Sequence, residues 1–105
     1  MNLKDICGTT EDRLLNISSP KFTEILQQLE WIPLKTTASF FLINYAIVNY
    51  GDADIWFLIA RYNDIKDGIA PANSLIYIPS QQSLLNALSS ASSVAQSTLG
   101  EEVLI

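Results

Sequence analysis

The chain has no histidine and one cysteine, Cys7. Without histidine there is no Cys–His or Ser–His–Asp arrangement, so Cys7 has no base to activate it. A single cysteine also excludes an intrachain disulfide, which suits a reducing compartment or assembly in one. Cys7 is read as a small buried or terminal side chain. Positive charge is scarce: six Lys and Arg stand against eleven Asp and Glu, for a net charge of −5. Residues 1–50 hold four basic and five acidic residues, residues 51–105 two and six. With no basic patch, nucleic acid meets no electrostatic footprint, and an anionic membrane surface is disfavoured. Long hydrophobic runs are missing too. The most apolar stretch, Ala38 to Val48 with Asn44 inside it, is about half the length of a spanning helix. The opening residues, MNLKDICGTTEDR, carry no apolar core of signal-peptide length, so no Sec export is expected.

Catalytic parts are equally scarce. There is no glycine-rich phosphate loop and no credible nucleophile–base pair. Asp52, Asp54, Asp64 and Asp67 are the only acids that invite attention. Helix capping or solvation explains them, and the spacing around Asn63, Asp64 and Asp67 is not that of an EF-hand. No enzyme activity, metal or cofactor is expected.

What the chain does have is apolar side chain. Hydrophobic residues make up 49% and charged residues 16% of 105 residues, with a mean hydropathy of +0.22. A domain of this size buries a modest share of its surface. Part of the apolar surface is therefore expected to lie against another subunit.

Taken in order, Glu11 to Asn16 could form a helical turn capped by Thr9 or Thr10. Ser19-Pro20 reads as a helix start, and Phe22, Ile25, Leu26 and Leu29 share one helical face. Pro33 ends that helix, placed near 20–31. Lys35 to Tyr50 is rich in β-branched and aromatic residues and reads as a strand apolar on both faces. Gly51 breaks it, and Asp52 or Asp54 caps a helix whose core face is Ile55, Leu58, Ile59 and Tyr62. Trp56 and Phe57 fall off that face and are candidate contact residues, since Trp is enriched at interface centres. Pro71-Ala72-Asn73-Ser74 reads as a turn and Leu75–Ile78 as a strand stopped by Pro79. Seven of the nineteen residues from Ser80 to Thr98 are serine. Leu84, Leu88, Ala91, Ala95 and Leu99 still keep a helical stripe that weakens after Ser89, and the Ser/Ala half reads as a tail that orders on a partner.

The stretch from Ile43 to Pro79 resembles the LysM module, a β-α-α-β unit. The likeness lies in Val48 ahead of Gly51-Asp52, in Ile55-Trp56 with Leu58, Ile59 and Tyr62, and in the closing Asn73-Ser74-Leu75-Ile76-Tyr77-Ile78-Pro79. It departs from the common form at Ala53-Asp54, which lengthens the first turn by one residue, and at Asn73, where a Gly is usual. The string from Ile55 to Asp67, with an aromatic after the Trp and an Asn-x-Ile-x-Asp, is more specifically similar to the LysM-like domain of phage contractile-tail baseplate proteins, wedge or hub-associated.

The expected fold is thus α+β: an N-terminal arm over 1–42 with a helix and the start of a strand, a LysM-like module over 43–79, and a Ser/Ala-rich helix or tail over 80–105. The resemblance implies a structural adaptor that joins tube or hub to wedge proteins in several symmetric copies. It implies a place in the virion tail baseplate, and in the host cytoplasm during assembly. Contact residues expected on this reading are Trp56, Phe57, Phe41, Trp31 and Tyr77. The alternative is a peptidoglycan- or chitin-binding module, with a groove formed by Asp52, Ala53, Asp54, Ala70 and Asn73.

Overall fold

Two strands far apart in sequence hold the chain together. In the computed structural model, which describes residues 2–91, β1 (Trp31–Lys35) pairs antiparallel with a later strand, Leu75–Pro79. Between them run the short strand β2 (Phe40–Phe41), a helix over Leu42–Tyr50, a 3-10 turn over Ala53–Ile55, a helix over Trp56–Asn63 and the short strand β3 (Ile69–Ala70). β2 pairs with β3. The Leu75–Pro79 strand is therefore β4. A five-residue helix α1 (Leu3–Cys7) and a longer α2 (Pro20–Gln28) precede β1, so the two central helices are α3 and α4. A last helix, α5, occupies 81–91. The chain is a mixed α+β fold whose centre reads strand, helix, helix, strand.

The β1–β4 register explains how two prolines fit a ladder. Trp31 faces Pro79, Pro33 faces Tyr77 and Lys35 faces Leu75. Beyond the ends, the Ser80 N–H donates to the Glu30 carbonyl and the Thr36 N–H to the Ser74 carbonyl. Antiparallel pairs alternate between bonded and non-bonded. The pairs holding Pro33 and Pro79 are then the non-bonded ones, where the ladder needs no N–H. Tyr77 has its own N–H and carbonyl turned outward. Asn63 meets both: the Tyr77 N–H donates to Asn63 Oδ1 and Asn63 Nδ2 donates to the Tyr77 carbonyl, each at 2.7 Å.

The structure corrects the reading of 35–50 as one strand. Lys35 ends β1, Phe40–Phe41 is a two-residue strand, and Leu42–Tyr50 is helix. Leu42 and Ala46 are wholly buried, and Tyr45 and Tyr50 half-buried, which is one face of a helix. Gly51 closes α3 in the left-handed conformation at φ 73°, its N–H donating to the Ile47 carbonyl. Local β propensity yields to packing here. The first strand of the central unit is thus Trp31–Lys35, ahead of the 43–79 stretch. The N-terminus differs as well. No helical turn forms at Glu11–Asn16; α1 lies earlier, fixed by a capping box between Asn2 and Asp5, and Thr9 bridges Leu15.

The other helices start where their caps place them. Ser19 caps α2 with Pro20 in its first turn, burying Phe22 and Ile25. Ser80 caps α5, its Oγ accepting from the Ser83 N–H at 3.1 Å. Leu84, Ala87, Leu88 and Ala91 of α5 are buried at helical spacing. The Ala95 and Leu99 end of that stripe lies outside the described residues. One core cluster gathers Leu3, Cys7 and Leu15, α2, α3, α4, Ile76 of β4 and α5.

Candidate functional site

Asp52 and Asp54 are engaged within the fold. Asp52 Oδ1 accepts from the Asp54 N–H at 3.0 Å, and Asp52 Oδ2 accepts from the Leu3 N–H at 2.7 Å. Lys4 lies 3.6 Å from the Asp54 carboxylate. The Gly-Asp turn is thus capped and covered by α1. No group of three or more His, Cys, Asp or Glu side chains gathers to hold a metal among the described residues.

The five residues assigned to a glycan groove are not brought together. Ala70 sits in β3, next to β2 and so at the start of α3, whereas Asp52, Ala53 and Asp54 follow its end. A helix of nine residues rises about 13 Å between those ends. Ala70 is wholly buried and presents no side chain to a ligand. Asn73 adopts φ 60°, and its N–H donates to the Thr36 carbonyl. That turn is locked by Thr36 itself, a buried side chain whose Oγ1 donates to the Pro71 carbonyl at 2.6 Å and accepts from the Ser74 N–H at 3.0 Å. A cavity does open beside Asp52, between α3 and α5, but its wall is formed by Tyr50, Ile55, Leu84 and Leu88 and by none of the other four groove residues.

The five aromatic contact candidates separate into three places. Trp31 stacks on Tyr62 with centroids 3.9 Å apart and planes 12° apart, and Tyr62 meets Tyr77 edge-on at 6.0 Å. Tyr62, which its spacing assigns to the core face, is instead 47% exposed and joins this surface group. Trp56 and Phe57 pack on each other at 4.3 Å and are both half-buried. The Trp56 ring lies against Gly68, where an added Cβ would meet it at 3.5 Å. Trp56 therefore serves the fold as well as the surface. Phe41 stands alone of the five beside α3, 52% exposed.

Around Phe41 lies a feature that the strand reading missed. Ile43, Ile47 and Val48 of α3 point outward, with Val48 81% exposed, and Ile69 opposite Phe41 in the β2–β3 pair is 41% exposed. No charged residue occurs between Lys35 and Asp52. The signal was available in the i, i+4 spacing of Ile43 with Ile47, once the segment is taken as helix.

Among the described residues, two titrating groups are shifted by the fold. Burial pushes the Cys7 thiol up to about 11, so it stays protonated and unreactive at neutral pH. Burial, then the neighbouring Tyr45, raises Tyr50 above its ordinary value. Its hydroxyl donates to the Pro79 carbonyl at 2.7 Å. No helix among the described residues is long and apolar enough to cross a membrane. The chain matches no protein-family model, no curated protein and no solved structure.

Proposed function

We propose that this protein is a structural subunit of a phage or phage-like contractile-tail baseplate. It acts as a LysM-like adaptor between tube or hub and wedge proteins, in symmetric copies within the virion. The observation that carries this reading is the uncharged outer surface of α3 and β2, where Phe41, Ile43, Ile47 and Val48 are four large apolar side chains left exposed. Such a patch marks an interaction surface in a soluble domain. The resemblance over Ile55–Asp67 and Asn73–Pro79 supplies the kind of partner, and the strand-helix-helix-strand order fits it. The mechanism is mechanical: apolar faces are buried against neighbours, and weak contacts add through symmetry. On this reading the protein catalyses nothing.

The test replaces the patch while sparing the core. Ile47→Asp with Val48→Asp should leave the fold intact, since exposed substitutions change stability by within about 0.5 kcal/mol each. It should abolish co-purification with the tube, hub and wedge proteins of the same tail gene cluster. A wild-type chain that associates with none of them ends the proposal. The glycan-binding alternative lacks a groove that gathers its residues, and it is checked by retention on cell-wall sacculi.

A further inference from the structure

A second recognition feature lies away from α3. Between α2, α4 and the loop that follows α4 opens a cavity of about 270 Å³. Its floor is apolar: Phe22 is buried, and Trp56 and Phe57 are half-buried. Its rim is charged: Arg61 and Lys66 are exposed, with Asp64 beside them. This pairing is unusual for an acidic chain, because two of only six basic residues line one cavity. Among the described residues Lys4 pairs with Asp54 and Lys21 with Glu24; Arg61 and Lys66, like Arg13 and Lys35, lie in no ion pair, but of these four only they line this cavity. Asp64, which ends α4 in the left-handed conformation at φ 55°, lines the same cavity but forms no ion pair with either cation, so the rim keeps two basic groups against one acid. Arg61 is held over the Phe22 ring, 5.7 Å from its centroid. A guanidinium fixed in this way keeps its fork of donors ready for a carboxylate.

We propose that this cavity docks an acidic peptide segment of a partner protein. One aromatic side chain of the segment enters the floor against Trp56 and Phe57, and flanking carboxylates meet Arg61 and Lys66. The volume suits a single large side chain and lies below that of most small-molecule pockets. The local cation pair selects acidic segments, while the acidic remainder of the surface repels them elsewhere. The inference stands whether or not the partner is a tail protein.

Three fluorescein-labelled peptides test it: Glu-Glu-Phe-Glu-Glu, Glu-Glu-Ala-Glu-Glu and Lys-Lys-Phe-Lys-Lys. With the full chain, the first should bind at least tenfold more tightly than the other two. In proton–nitrogen NMR spectra it should shift the indole N–H of Trp56, assigned through Trp56→Phe, and leave that of Trp31 in place. Arg61→Gln with Lys66→Gln should weaken it at least tenfold. Raising salt from 50 to 300 mM on the native protein should weaken it as well, independently of whether the double variant folds. Equal binding of the three peptides, an unmoved Trp56 signal, or salt-independent affinity overturns the proposal.

Discussion

At the scale of single residues, one carboxylate ties two distant parts of the chain. Asp52 accepts from Asp54 in its own turn and from Leu3 at the start of α1. Removing it orphans two N–H groups in partly buried positions. Asp52→Ala should therefore lower stability by about 1–3 kcal/mol in urea unfolding. Asp52→Asn keeps one acceptor oxygen and should lose less; equal losses would mean that Leu3 is not tethered as described. Cys7 and Tyr50 carry a pH dependence. Burial raises Cys7 from 9.0 to about 11 and raises Tyr50 in the same direction. Each folded pKa lies above its unfolded value, so the unfolded chain releases these protons first. The stability Cys7 contributes is full below pH 9.0 and is lost as pH climbs through about 11, and that of Tyr50 is lost at higher pH still. Urea midpoints should fall between pH 8.5 and 10.5, and Cys7→Ala should make the fall shallower. A midpoint flat over that range would show the Cys7 thiol to be solvated in the folded state.

At the scale of elements, legibility followed the contrast between faces. α2 was readable because Ser19-Pro20 marks its start and a polar face separates its apolar side chains. α4 and β4 were readable for similar reasons. α3 was not. Its inner face holds Leu42 and Ala46, but its outer face holds Ile43, Ile47 and Val48, so no period stands out and β-branched composition suggests a strand. The feature that obscured the helix is the one that makes it a candidate interface. The first strand was hidden by Pro33, which argues against a ladder until the register is known. α1 has five residues and depends on a cap between Asn2 and Asp5, too local a device to stand out. Of the candidate sites, Trp56 and Phe57 were legible as aromatics off the core face; their cavity was not, because Phe22 comes from another helix. The register makes its own prediction. Pro33→Ala should be nearly neutral, because the ladder asks nothing of that N–H, whereas Leu34→Pro should cost about 3 kcal/mol or more. Equal effects of the two in thermal melts would place the hydrogen-bonded pairs on the other parity.

At the scale of the whole molecule, the N-terminal segment belongs to the same core as the central unit. Leu3, Cys7 and Leu15 are buried in one cluster with Leu58 and Ile59 of α4, and Leu3 is wholly inaccessible. An arm that merely leaned on a finished module would leave that module's stability unchanged when weakened. A shared core behaves otherwise. Truncating a fully buried leucine costs about 2–5 kcal/mol, because the surroundings collapse only in part around the missing methyls. In a domain of this size each 1 kcal/mol lowers the melting temperature by about 4–8 °C. Leu3→Ala should therefore shift the entire transition downward by at least about 8 °C. Tryptophan fluorescence reports Trp31 and Trp56, neither of which lies near α1 in sequence, and circular dichroism reports all helices. The two should move together and remain superimposable. A fluorescence transition that stays in place, with a small early loss of helix signal, would mean that residues 1–18 fold as a separate appendage. Coincident transitions would mean that the α3 face and the Trp56 cavity belong to one cooperative folding unit. That is what the proposed adaptor role requires.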